Sequence, residues 1–334
     1  MTPLPPKAIA GLLSACAAFL LHRVPLKTHL GGVCNILRLV LGLDRLQELR
    51  IARLRNAVTV NVRLSDYNGR MLYFFGTPDP KIVATCRALL RPTDVFLDIG
   101  ANHGAVAFLC HDRPAESHLV EPQPQLVESI RRTIRDHALT SLRVHPIGLA
   151  AEDGELPLSV NRRHTGAASM AKHAGACPVI PVPVLKTAHF LTEVVGDRPC
   201  GAKLDVEGME ACVLPGLLEH PSVRFVLFEC NTPSTRDVVW RRARQRDLAL
   251  FGLSPALLSV RLAPIRERSE LRRYHDVLAI RITDEGRPRR VTTPGRLAAL
   301  QRHSPSPSTR RAGSEEGADC AKGTSHPPRL VRRL

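Results

Sequence analysis

Residues 95–104 read Val95-Phe96-Leu97-Asp98-Ile99-Gly100-Ala101-Asn102-His103-Gly104. An apolar run that ends in an acid and two spaced glycines predicts a buried strand, a tight loop and a helix from about Ala105. Ligands of open α/β sheets sit just outside the carboxyl ends of strands. Gly100 is expected to let backbone approach such a ligand closely. Asn102 stands where a middle glycine would, and asparagine tolerates left-handed backbone better than most residues. Asp98, Gly100, Ala101, Asn102 and Gly104 are therefore candidate cofactor-binding residues.

A second element lies 23 residues beyond Asp98. Glu121 ends the next expected strand, Ser117-His118-Leu119-Val120-Glu121. An acid there is placed to accept two hydrogen bonds from a ribose diol. The cofactor is not expected to be a dinucleotide, which needs the GxGxxG spacing for its pyrophosphate. The spacing here is Asp98-x-Gly100-x-x-x-Gly104. An acid two residues before the first glycine repels phosphate and suits an ammonium group, as on the methionine part of S-adenosylmethionine (SAM).

Working outward, short apolar runs alternate with helical stripes. LRVHPIG (142–148), AKLDVEG (202–208), RFVLFE (224–229) and DVLAIRI (276–282) read as strands; stripes at 82–90, from Pro124, through Leu217 and to about 247 read as helices. That alternation predicts an α/β, Rossmann-like fold with a mostly parallel central sheet and helices on both faces. In the turn Ala151-Glu152-Asp153-Gly154, Glu152 or Asp153 is placed to meet an adenine amino group, or simply to make the turn.

Lys203, Asp205 and Glu207 alternate in KLDVEG (203–208), so on a strand they share a face at its carboxyl end. Three ionisable groups in an apolar strand need a reason: a salt bridge that orients the loop, or work on a substrate. Asp205 is a candidate to contact cofactor or acceptor, Glu207 a candidate base, and Glu229 ends a strand on the same sheet edge. No third ligand has clear spacing beside the two acids, so no metal is expected. His103 is read as loop filler, and His164 and Ser169 as polar-loop residues near an acceptor or exposed.

The N-terminal 57 residues are expected to form a helical extension, with a helix over 8–21 and a further stripe over 33–55. VTVNVRL (58–64) and MLYFF (71–75) flank Asn68-Gly69, which predicts a β-hairpin over 58–80. The main domain is expected over 81–284. Residues 285–334 are Pro, Ser and Arg rich, without apolar period, and are expected to be a disordered basic tail. Residues 8–21 are too short to span a bilayer and suit a helix on the protein body or on a membrane surface.

The 334 residues are 44% hydrophobic and 23% charged, which excludes wholesale disorder. The formal charge of +16 invites a nucleic-acid reading. Residues 285–334 carry 11 Lys+Arg against 4 Asp+Glu, so +7 of that charge is tail. One Trp, three Tyr and nine Phe leave few rings for base stacking, so nucleic acid is not the expected partner. Nine scattered cysteines without a CxxC suit reduced thiols and a cytoplasmic location, with membrane association through 8–21 as an addition.

The chain resembles the FkbM-type family of SAM-dependent methyltransferases. The matching pieces are DIGANHG (98–104), VEPQP (120–124), GLAAEDG (148–154), KLDVEGMEACVLPG (203–216) and VLFE (226–229), in that order. NRRHTGAASM (161–170) resembles the family's polar loop and HDVLAI (275–280) its closing strand. The resemblance covers about 80–282 and implies a class I methyltransferase fold, SAM held by 98–104 and 121, and methyl transfer to oxygen of a small molecule or glycan. Alternatives are an RNA or protein methyltransferase on the same core, or a SAM-binding protein that does no chemistry.

Overall fold

In the computed structural model, residues 6–22, 30–46, 48–161, 164–171, 177–255 and 260–282 are described. The chain opens with α1 (Pro6–Leu21) and α2 (Leu30–Val40), then the strands β1 (Leu49–Arg53) and β2 (Thr59–Arg63) and the helices α3 (Tyr67–Phe75) and α4 (Pro80–Leu89). The α/β body follows as β3 (Val95–Ile99), α5 (Ala105–Cys110), β4 (Glu116–Val120), α6 (Pro124–Asp136) and β5 (Leu142–His145). A small sheet comes next, β6 (Gly148–Ala150), β7 (Gly154–Ser159) and β8 (Val179–Lys186), before α7 (Thr187–Val194). The second half is β9 (Cys200–Leu204), α8 (Glu210–Glu219), β10 (Val223–Glu229), α9 (Pro233–Gln245), β11 (Leu248–Pro255), β12 (Val260–Pro264) and β13 (Asp276–Arg281). The expected tail, 285–334, lies outside the described residues.

The central sheet has eight strands in the order β12-β11-β13-β10-β9-β3-β4-β5. Strands β5, β4, β3, β9 and β10 are mutually parallel, and β13 runs antiparallel between β10 and β11. The chain winds from β3 outward to β5, then returns on the other side of β3 as β9. The topological switch point, where open sheets bind ligands, is therefore the pair of loops after β3 and β9. This is a Rossmann-like α/β fold with a mostly parallel central sheet. Every residue of β3 and of β9 is buried. That is why these strands read as apolar runs, broken by Asp98 and Lys203, rather than as alternating ones.

The hairpin expected over 58–80 does not form. β2 pairs antiparallel with β1, and 67–75 is helical. The stripe expected over 33–55 also breaks up: α2 ends at Val40, Gly42 follows at φ 59°, and 49–53 is β1. Gly69 explains the misreading. It lies buried in the first turn of α3, where a Cβ would stand 2.3 Å from the carbonyl oxygen of Arg63. Close helix–strand approach, not a turn, demands that glycine. Asp66 caps α3 by accepting from the Gly69 N–H at 2.7 Å. Ala52, Val60, Val62 and Leu72 belong to the same core cluster as Phe96, Phe108 and Leu278. The β1–β2–α3 segment is thus packed into the main body rather than appended to it.

Candidate active site

The two loops of the switch point interlock through backbone. Asp205 donates its N–H to the Ile99 oxygen at 3.1 Å. Gly100 has φ 71°, and a Cβ on it would lie 1.8 Å from the Asp205 carbonyl oxygen. The close approach expected of Gly100 is therefore to the neighbouring loop. Asn102 takes up left-handed backbone at φ 52°. Gly104, at φ 74°, caps α5; a Cβ there would meet the Phe108 ring at 2.9 Å. Gly100, Ala101 and Asn102 line a cavity of about 440 Å³ at this sheet edge.

Asp98 and Lys203 hold the loop from behind. Asp98 is fully buried and does not line the cavity. One of its oxygens accepts from the Ala107 N–H at 3.0 Å, and the other lies 3.1 Å from Lys203 Nζ. Its place as a cofactor contact is corrected accordingly: its side chain turns into the sheet–helix interior. Lys203 Nζ donates to the Gly100 oxygen at 2.7 Å and lies 3.8 Å from Asp205. Burial works to lower the Lys203 pKa, but the carboxylates of Asp98 and Asp205 outweigh it and hold it above its ordinary value. Lys203 borders the cavity with its ammonium committed to these partners.

Glu121 lines the cavity beside the loop, to which it is hydrogen-bonded. Its two oxygens each accept one backbone N–H, from Asn102 at 2.8 Å and Gln123 at 2.9 Å. A carboxylate oxygen has room for a second donor. Burial raises its pKa, against those N–H groups. Ile147, Leu149, Leu158 and Met170 form an apolar slot beside it. Asp153 is not part of this wall. It is exposed, accepts from the Lys186 N–H at 2.6 Å and pairs with His189 at 2.8 Å. It fastens the start of α7, and the adenine contact expected of it is corrected.

Asp205, Glu207, Glu229 and His275 form the acidic end of the cavity. β9 stops at Leu204, so Asp205 and Glu207 stand in the loop beyond it, Glu207 at φ 48°. The buried Glu210 carboxylate accepts the Gly208 N–H at 3.0 Å and shapes that loop. Glu229 accepts from Asn231 at 2.8 Å and lies 3.7 Å from His275 Nδ1. Burial, and then the charge of Asp205, push the Glu229 pKa up to about 8. The hydrogen bond to Asp276, against some burial, holds His275 up at about 9. Glu229, His275 and Asp276 bring ligand-type atoms within 4.8 Å of one another, though Lys81 already bridges Asp276 at 2.8 Å.

Sequence reasoning missed the wall contributed by α3. Tyr67, Asn68 and Leu72 line the cavity, and the Tyr67 ring stacks on His164 with centroids 4.8 Å apart. Asp66, behind them, is buried and ties three segments together. It accepts from the Thr165 N–H at 2.8 Å and meets His103 Nε2 at 3.2 Å, besides capping α3. Burial would raise the Asp66 pKa; its hydrogen bonds with His103, Thr165 and Gly69 outweigh that and lower it. His103, read as filler, is thus a buried partner of Asp66, and Ser169 is buried on the Glu207 carbonyl at 2.6 Å. The available signal was Ser65-Asp66 as a helix cap, repeated by Asp79-Pro80 before α4.

No family model matches the chain, and no curated protein matches it. Among solved structures it is similar to a methyltransferase FkbM from Methylobacillus flagellatus KT at 14% identity and TM-score 0.38, over 74% of this chain and 60% of that one. It thus spans less than two-thirds of that protein. A putative methyltransferase from Streptococcus mutans, in complex with SAH, matches at 8% identity and TM-score 0.35, over 60% of this chain and 95% of that one. An rRNA methylase from Streptococcus thermophilus matches at 10% and 0.34, over 60% and 94%. The fold assignment rests on strand order, not on likeness at this level.

Proposed function

We propose that the chain is a SAM-dependent methyltransferase that methylates a hydroxyl oxygen of a glycan, glycolipid or secondary metabolite in the cytoplasm. The observation that carries this reading is the sign of the cavity. Asp79, Glu121, Asp205, Glu207 and Glu229 line it against two cationic groups, the Lys203 ammonium and the His275 imidazolium held up at about 9. Such a lining favours a ligand with a sulfonium and an ammonium and repels a pyrophosphate. It also repels the phosphodiester of a nucleic acid, which favours an uncharged hydroxyl acceptor. The residues fit SAM: Glu121 for the ribose diol, the Ile147–Leu149 slot for the adenine, and the loop 100–102 with Asp205 for the amino acid part.

When bound, SAM supplies an electrophilic methyl whose bonding pair leaves with sulfur. The chain's own residues orient the acceptor and take its proton. Alcohols are weak nucleophiles at neutral pH, so a base in reach accelerates attack. Glu229, with its pKa pushed up to about 8, is a stronger proton acceptor than an ordinary carboxylate. Glu207, in the loop after β9, is near enough for its charge to help raise the Glu229 pKa. Asp205 holds the floor between Lys203 and Glu229, where alignment of oxygen, methyl and sulfur matters most.

Calorimetric titration with SAM and with NAD tests the cofactor. SAM binding alone is expected, and Glu121→Ala should weaken it about ten- to a hundredfold, the range for hydrogen bonds to a charged group. NAD binding without SAM binding overturns the reading. A labelled-methyl screen against glycan and metabolite extracts then separates an enzyme from a silent binder.

A further inference from the structure

We propose that the outward faces of α1 and α2 rest on the surface of an anionic lipid bilayer. Their inward faces are already satisfied. Leu30 and Cys34 of α2 pack with Met71, Phe74 and Phe75 of α3, and Ala10, Ala17 and Leu21 of α1 lie against the same cluster. A surface helix normally turns a polar face outward. Here Leu12, Leu13 and Leu20 of α1, and Ile36, Leu39 and Val40 of α2, stand in the open, with Leu20 63% and Val40 74% exposed. Helices apolar on both sides need a second apolar neighbour.

Charge and length say what that neighbour is. Residues 1–44 contain Lys7, Arg23, Lys27 and Arg38 against one acid, Asp44, which pairs with Arg38 at 3.5 Å and leaves a net positive charge. An isologous contact with a second copy would bring like charges together, whereas an anionic leaflet is complementary to them. α1 has 16 residues, about 24 Å at 1.5 Å per residue, and no described helix is long and apolar enough to cross a membrane. The segment therefore lies on the surface. α3 separates this face from the cavity: a Cβ on Gly31 of α2 would meet the Tyr67 hydroxyl at 2.7 Å, and Tyr67 lines the cavity. Docking would thus hold the cavity one helix away from the lipid.

The test is flotation of the full chain with vesicles of phosphatidylcholine alone, or mixed with phosphatidylglycerol. Wild type should float with the mixed vesicles, less in high salt. The double variant Leu20→Asp, Leu39→Asp should lose roughly tenfold or more in partitioning, with unchanged circular dichroism and SAM titration. Both side chains are exposed, so the fold should tolerate the change. Wild type that stays unbound, or a variant that floats equally well, overturns the proposal. So does a wild-type dimer that ignores vesicles and that the variant dissociates, since a second copy would then cover the face. The readout is lipid binding, so it stands or falls apart from methyl transfer.

Discussion

Gly100→Ala is expected to abolish ligand binding and to lower the unfolding free energy by about 2–5 kcal/mol. Two costs combine. The residue sits at φ 71°, where a side chain costs about 1–2 kcal/mol. Its Cβ would also lie 1.8 Å from the Asp205 carbonyl oxygen, deep inside contact distance. Backbone cannot swing aside as a flexible side chain would, so the loops after β3 and β9 must part, at about 1–3 kcal/mol for overpacking. Parting them moves Asn102 and Asp205, both of which line the cavity. Gly32→Ala serves as control. Gly32 lies in α2 with nothing within 4 Å of its Cβ position, and alanine there should stabilise by about 0.5–1 kcal/mol. Urea unfolding and SAM titration of both variants check this. Wild-type stability and binding in Gly100→Ala would mean that the two loops do not interlock.

What was legible followed from local chemistry. Buried strands of the central sheet announce themselves as apolar runs, so β3, β4, β9, β10 and β13 could be placed, and with them the strand-end acids Glu121 and Glu229. The side-chain direction of Asp98 was not legible. All of β3 is buried on both faces, so alternation says nothing about which residue looks into the crevice. Asn68-Gly69 misled because a glycine serves equally a turn and a tight helix–strand contact. The Asp66–Thr165 hydrogen bond joins residues 99 apart in sequence, a pairing that no spacing rule encodes. The acid in Glu152-Asp153 was legible as a turn, but which turn acids face a ligand is decided by how the small sheet β6–β8–β7 sits on the body.

Glu229→Gln is expected to lower kcat about 10²- to 10⁴-fold, the usual cost of losing a general base, while SAM affinity stays near wild type. Glutamine keeps the shape and the Asn231 contact but cannot take a proton. The pH profile should carry the signature. In wild type, methyl transfer rises as Glu229 loses its proton, along a limb centred near 8. The limb belongs to the cluster, because Asp205 and His275 titrate against the same carboxyl. Asp205→Asn removes one of the charges that raise the Glu229 pKa, so it should shift the limb to lower pH. Stability must move the other way. A carboxyl held above its unfolded pKa contributes fully below the ordinary glutamate range and loses that contribution as pH climbs through about 8. Loss of the His275 proton, held up at about 9, adds to the same decline. Glu229→Gln removes the carboxyl's share, so above that range the variant should melt higher than wild type while turning over far more slowly. A variant with wild-type rate and an unchanged alkaline limb would take the proton-accepting role from Glu229 and leave it to Glu207 or Asp205, the other carboxylates at that end of the cavity.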